Sequence, residues 1–232
     1  MSADSLIRRL LTGGAAAGPL FVGAFLVEGA TRDGYDPLRH PVSDLALGPK
    51  GWQQTANFTV AGVLYLGFAA GLALAGRQIT ADPEGAAPTA VAPPRLGTVL
   101  LGASAVGLLG SAAFVTDPIG GYPPGTPAVP LEPTATGRRH DLSAMPVFIG
   151  LPIAQLSWAA AFRRAGKPGW ARFSTASAAL MTAGFGLATA GFVQTPRLAR
   201  FGGLFQRMAV VSALGWQSAL AVHVLRHRRK PG

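Results

Sequence analysis

The chain alternates long apolar runs with short polar stretches, and the length of the runs decides its class. A helix needs roughly 20 apolar residues to cross about 30 Å of hydrocarbon. Six runs meet that requirement: residues 10–31, 55–76, 96–115, 142–162, 173–193 and 204–225. The third, fourth and fifth contain no Asp, Glu, Lys, Arg or His. Lipid offers the backbone no hydrogen-bond partners, so each run must satisfy its own amides as a helix. The expected fold is all-α: a single domain over residues 1–232, built as an integral membrane bundle of six transmembrane helices. Pro19, Pro146 and Pro152 fall inside runs and predict local breaks in the helical ladder.

Composition agrees with that pattern. Of 232 residues, 49% are hydrophobic and only 13% charged, where a soluble domain carries about 25% charged residues. The 31 glycines suit helices that pack backbone to backbone in lipid. Gly14 with Gly18, and Gly67 with Gly71, have the G-x-x-x-G spacing, which in so glycine-rich a chain predicts packing within the bundle. Arg8 and Arg9 precede an apolar run as in a secretion signal. That run continues past Ala15, Ala16 and Ala17 to Val27, the length of an uncleaved anchor.

The net charge of +10 does not indicate nucleic acid, because the basic residues sit between apolar runs and form no single soluble face. They read as topology instead. With the N-terminus inside, the cytoplasmic side carries twelve Lys and Arg (Arg8, Arg9, Arg77, Arg95, Arg163, Arg164, Lys167, Arg172, Arg226, Arg228, Arg229 and Lys230), against eight outside. Cytoplasmic loops are enriched in these residues, so both termini are expected in the cytoplasm and the chain in the cell membrane. The two kinds of connection differ. The inner ones, an Ala/Pro-rich linker over residues 81–94 and a basic turn over 163–172, look like plain joints. The outer stretches 32–54, 116–141 and 194–207 are densely polar, and the first is expected to be an ordered cap with a short interfacial helix near Pro41 to Leu47.

Residues 35–48 read YDPLRHPVSDLALG, and are followed in order by Thr116-Asp-Pro, His140-Asp-Leu-Ser and Phe205-Gln-Arg. With these motifs, and over nearly all its length, the chain resembles the bacterial and archaeal membrane proteins grouped as domain of unknown function 998. The resemblance implies a multi-pass helical protein whose shared residues lie on the outer side. It implies no activity or cofactor and assigns no catalytic residue. A fainter internal echo pairs His40-x-x-Ser43 with His140-x-x-Ser143, as three related hairpins would.

The outer motifs gather most of the titratable groups of that half. Asp117, His140 and Asp141 are the candidates for catalysis, and Asp36, Arg39, His40, Ser43, Asp44, Asn57, Gln206 and Arg207 for binding a substrate. Imidazole beside carboxylate is the equipment of general acid/base chemistry or of a metal site, although no H-E-x-x-H, nucleophile elbow or phosphate loop is present and the spacing fits no single metal or cofactor template. The structural alternative is that Ser43 and Asp141 cap helices and that Arg39, Arg138, Arg139 and Arg207 neutralise nearby carboxylates. Under either reading Asp36, Asp44, Asp117, His140, Asp141 and Arg207 should come together in one polar site at the outer ends of the helices. His223 and His227 read as interface residues, Trp52 and Trp170 as aromatic-belt residues, and Gln155 and Gln217 as interhelical hydrogen bonders.

No charged residue falls near the middle of any run, which speaks against an ion-coupled carrier. Polar chemistry at one rim suits an amphiphile, with its headgroup at the loops and its tail between helices. Three functions follow: foremost a membrane-embedded enzyme acting on a lipid or isoprenoid-like substrate at the outer Asp/His site, and as alternatives a non-catalytic lipid or solute binding or transport protein and a scaffold subunit of a membrane complex. Cysteines placed singly at Ala128 and Gly232, in a chain with no cysteine of its own, test the topology. An impermeant thiol reagent applied to intact cells should label only the first; labelling of the second would invert the topology.

Overall fold

The apolar runs fold into helices that outlast them. The computed structural model describes residues 2–81, 90–129 and 131–227. Its six long helices are α1 (Ala3–Thr31), α2 (Trp52–Ala81), α3 (Arg95–Ala113), α4 (Ala135–Arg164), α5 (Pro168–Phe192) and α6 (Gly202–Arg226). All six are long and apolar enough to cross a membrane, and the protein is an all-helical multi-pass membrane bundle. Most extend beyond their apolar core, because a helix ends where its backbone finds a cap and not where hydrocarbon ends. The clearest case is α4, which starts seven residues before the apolar run, at the cap supplied by Thr134.

Each helix packs on its neighbour in sequence, and α6 returns to α1 to close the bundle. The connections α1–α2, α3–α4 and α5–α6 lie at one end, here the long-loop end. The termini and the other two connections lie at the opposite, terminal end. Most of the Ala/Pro-rich linker, residues 82–89, and the last basic residues, 228–230, are outside the described residues. The core is filled by Trp158, Trp216, Tyr65, Phe25, Phe68 and Phe162, all essentially inaccessible. Leu20, Val27, Val63, Val99 and Leu142 point outward, as lipid-facing positions should.

Small residues set the helix spacing. A Cβ at Gly14 would stand 2.5 Å from the Phe68 ring on α2, one at Gly18 would stand 2.8 Å from the Leu214 carbonyl on α6, and one at Gly71 would stand 3.0 Å from Leu10 on α1. Both G-x-x-x-G pairs therefore serve contacts within the chain. The expected break appears at Pro146, whereas the helix runs on as α-helix through Pro19 and Pro152. From Pro146 to Gly150 the ladder of α4 widens to a π turn, and Ser104 of α3 donates to the Pro146 carbonyl at 2.7 Å. Gln155 on α4 donates to Ser177 on α5 at 2.9 Å, the interhelical role expected of it. The internal echo does not reach the structure, since His40 lies in a loop and His140 inside a helix.

Close packing of α3 against α4 makes Gly107 a sensitive position, because a Cβ there would meet the Ser143 backbone carbonyl at 2.5 Å and no rotamer relieves a clash with backbone. Gly107→Ala should cost about 1–3 kcal/mol in detergent unfolding. Gly23→Ala, where nothing lies within 4 Å, should be near neutral, and equal effects of the two would refute this account of the spacing.

Candidate functional site

The α1–α2 connection, residues 32–51, is an ordered cap. Arg32 donates to the Leu47 and Lys50 carbonyls (3.3 and 3.1 Å), to Gln53 Oε1 (3.3 Å) and to Glu28 (3.2 Å), tying the end of α1 to the start of α2. Asp36 is exposed and accepts from the Leu38 amide at 2.9 Å in an Asx turn. Behind Pro41 the chain makes a short 3₁₀ helix, Val42–Ala46, at the place expected for an interfacial helix. Its first amide, Val42 N–H, donates to Gln206 Oε1 of α6 at 2.7 Å. Ser43 sits within this turn and caps nothing, correcting the expectation from its position before α2.

Arg207 is the central group. It is 8% exposed, and it meets no carboxylate. Its Nη1 donates to the His40 and Gly203 carbonyls, each at 3.0 Å, and its Nη2 to the Tyr35 hydroxyl. The guanidinium also lies over the Phe25 and Tyr35 rings, 5.8 and 5.5 Å from their centroids. The expected neutralisation of carboxylates is therefore wrong at Arg207. Backbone carbonyls and a phenol take the Nη groups of this buried cation without desolvating a second charge, while its Nε has no partner among the described residues. At this end the ion pair that forms is Glu28 with Arg32, at 3.2 Å.

Tyr35, absent from the candidates, completes the grip. Its hydroxyl donates to the Pro41 carbonyl at 2.9 Å, and burial pushes its pKa up to about 12, so it stays a donor. His40 is buried between Tyr35 and Tyr122. Its Nδ1 accepts the Asp36 amide at 2.9 Å, which places the proton on Nε2, facing the Gly120 carbonyl at 3.3 Å. Burial holds this imidazole below its usual pKa, and both nitrogens are committed. Arg39 gives its carbonyl to the Gly203 amide at 3.1 Å, while its buried Nε has no partner among the described residues.

Asp44 is fully buried. Its Oδ2 accepts the Ile119 amide at 3.3 Å and its Oδ1 has no partner among the described residues. Desolvation raises its pKa well above the ordinary carboxylate value, so burial favours its protonated form. Asn57 donates to the Phe21 carbonyl (3.1 Å) and to Gln54 Oε1 (3.2 Å), binding α2 to α1.

Asp117 and His140 join α3 to α4. The Asp117 carboxylate accepts the Thr134 amide and hydroxyl, both at 2.8 Å, and Thr134 caps α4 by accepting the Gly137 amide at 3.0 Å. Gly137 is required there, because a Cβ would overlap the carboxylate, 2.0 Å from Oδ2. His140 Nδ1 donates to the Phe114 carbonyl at 2.7 Å. Asp141 is exposed within α4 and is not its cap. The helix starts earlier because the Asp117–Thr134 pair satisfies its first amides. The expected convergence divides into two linked groups: Tyr35, Arg39, His40, Asp44, Gln206 and Arg207 around the first loop, and Asp117, His140 and Asp141 at the start of α4. Among the described residues no three His, Asp or Glu side chains converge in a way that would hold a metal.

The sequence reading missed a concavity at the other end. A crevice of about 560 Å³ opens between α1, α5 and α6, lined by Ala15, Pro19, Trp170, Ala219, Val222, His223, Arg226 and their neighbours. His223, in the last turn of α6, is 6% exposed, and its Nε2 is without a partner among the described residues.

Six spanning helices, a closed polar clasp at one end and a lateral crevice at the other define a multi-pass helical membrane protein. The family model described as "Protein of unknown function (DUF998)" matches residues 15–223, and the chain belongs to that family. No curated protein and no solved structure matches it.

Asp44 gives the clasp a pH dependence of definite sign. Its folded pKa is raised, so the stability it contributes is fully present below the unfolded value near 3.8 and is lost as pH rises through the folded value. Asp44→Asn keeps an acceptor for the Ile119 amide and removes ionisation. Its melting temperature in detergent should match the parent near pH 4 and exceed it at pH 8. A variant less stable than the parent at pH 8 would show that Asp44 is buried as a needed anion.

Proposed function

We propose that this chain is a non-catalytic lipid-binding protein of the cell membrane, with both termini in the cytoplasm and the polar cap on the outer face. The observation that carries the reading is the crevice between α1, α5 and α6. Its volume of about 560 Å³ lies in the range of roughly 300–1,000 Å³ typical of small-molecule sites. It is also set in the bundle wall, where a lipid arrives without crossing water. The commitment of the outer polar groups supports the same reading. His40 uses both nitrogens, the Asp117 carboxylate is engaged through both oxygens, and Arg207 holds backbone, which suits a clasp better than a reactive centre.

The enzyme reading keeps one specific support. The bond from His140 Nδ1 to the Phe114 carbonyl leaves Nε2 with its lone pair, and Asp141 stands exposed beside it, an arrangement suited to a general base acting on a lipid or isoprenoid-like substrate. His140→Gln distinguishes the two readings. Under the enzyme reading it reproduces whatever phenotype deletion of the gene produces while the protein still folds; under the binding reading that phenotype appears only as far as stability is lost.

Lipid retention tests the proposal directly. Protein purified in mild detergent and examined by native mass spectrometry should carry bound lipid, and Ala219→Phe, which fills the crevice, should release it with helical content unchanged. Retention unaffected by Ala219→Phe would sink the proposal.

A further inference from the structure

The end of α6 arranges its polar residues by helical spacing. His223, Arg226 and His227 are three and four residues apart and so share one face, and Ala219 and Val222 lie on the same side one turn deeper. From Arg226 to Ala219 the helix rises about 10 Å, so this face runs from the membrane surface into hydrocarbon. Opposite it, α1 presents Ala15 and Pro19, one turn apart. Gly18 lets the two helices touch at Ser218 and Leu214, where a Cβ would come within 2.6 Å of the Ser218 hydroxyl and 2.8 Å of the Leu214 carbonyl. Toward the terminal end the crevice opens between them. Trp170 of α5 forms the third wall, its ring 4.4 Å from that of His223. Pro19 and Arg226 are both exposed, so the crevice opens laterally to lipid and also at the surface.

The chemistry of the lining changes with depth. Ala15, Pro19, Ala219 and Val222, with the Ser218 hydroxyl among them, make its deeper part mostly apolar. Its mouth holds Arg226, His227 and His223, and no acidic residue lines it among the described residues. Lys167, on the turn into α5, is near enough for its charge to act on His223. His227 Nδ1 donates to the His223 carbonyl at 2.8 Å. The ring of His223, 94% buried by its 6% exposure, has an Nε2 that no described residue satisfies. A buried imidazole nitrogen left unpaired in a crevice with a basic mouth is the mark of a missing anionic partner.

We infer that this crevice binds an anionic phospholipid, with its phosphate at His223, Arg226 and His227 and an acyl chain along Ala15, Pro19, Ala219 and Val222. The inference rests on the lipid-binding reading above and adds the headgroup, its sign and the leaflet at the terminal end. A headgroup carrying its own cation gains less here, because Arg226 and Lys167 repel it. A small soluble anion gains nothing from the apolar half.

The test compares phosphatidylglycerol with phosphatidylcholine at equal concentration, on the full chain in detergent, with occupancy read by native mass spectrometry. Phosphatidylglycerol should be favoured by about tenfold, the scale of one charge-assisted hydrogen bond. Arg226→Gln, an exposed position where folding is not at risk, should bring the ratio near unity. His223→Gln should weaken phosphatidylglycerol further, and Arg226→Gln decides the matter if that variant does not fold. Equal occupancy by the two lipids in the parent protein overturns the headgroup assignment while leaving lipid binding in place. Absence of any bound lipid overturns both. Glycerol phosphate, which lacks acyl chains, should bind far more weakly than phosphatidylglycerol; equal affinity would show a site for a soluble anion and would overturn the inference.

Discussion

Arg207 carries a charge that cannot be shed at the edge of the bilayer, and the long-loop end is organised around satisfying it. A guanidinium remains protonated whatever its burial, so the fold must supply acceptors. It does so by bringing the first loop back over α6, where the His40 carbonyl, the Gly203 carbonyl and the Tyr35 hydroxyl take its N–H groups. That return places His40 against Gly120 and Asp44 against the Ile119 amide, so the first loop in turn holds the second. The second loop contributes Asp117, which holds Thr134, the cap of α4. One buried cation on α6 is thus linked through backbone carbonyls and two loops to the start of α4. Gly203 is part of the same constraint, because a Cβ there would sit 2.4 Å from the His40 carbonyl and push the loop away from the guanidinium.

The readiness of the sequence to reveal this differed by element. The helices were legible because membrane thickness sets a length that composition must obey, and all six runs became helices. Their starting points were less so. The extension of α4 to Ala135 depends on Thr134 receiving Asp117 from 17 residues earlier, a pairing that local capping patterns do not reveal, and Asp141 was accordingly mistaken for a cap. The shared depth of the outer residues followed from topology, but their partners did not. Arg207, His40 and Gln206 all bond to backbone, and a sequence marks the side chain of a hydrogen bond without marking the peptide group that answers it. Tyr35 stands in the quoted motif, but nothing local to it marks the Arg207 guanidinium, 172 residues later, as its partner.

The terminal end was misread for a related reason. A histidine at the basic end of a last helix ordinarily faces headgroups, and nothing local to residues 222–227 shows that α5 folds across it. The stacking of Trp170 on Phe162 and against His223 arises from the short turn into α5. That turn is long enough only to reverse the chain, so Trp170, near the start of α5, lies beside the end of α6. The signal available in the sequence was Pro19: a proline with no N–H leaves the Ala15 carbonyl without its helical donor, in the same stretch where Gly18 brings α1 against α6. A close contact followed by a weakened ladder is how a helix pair comes to part.

The two ends therefore use polar side chains in opposite ways, and the contrast locates function better than residue type does. At the long-loop end the His and Asp residues are bonded mainly to backbone: His40 holds an amide and a carbonyl at once, and Asp117 an amide and a hydroxyl. Such groups have little left to offer a ligand without dismantling the loop. At the terminal end fewer polar residues are present, yet they are arranged around open space: His223 with a bare nitrogen, Arg226 exposed at the mouth and His227 anchored only through Nδ1. Burial without a partner costs free energy that folding alone does not recover. A ligand that supplies the partner regains that cost on binding; the unpartnered Arg39 Nε, Asp44 Oδ1 and Arg207 Nε are buried within the clasp, whereas His223 belongs to the lining of a crevice that opens to lipid. In a membrane the ligand present at the highest concentration beside such a crevice is lipid itself.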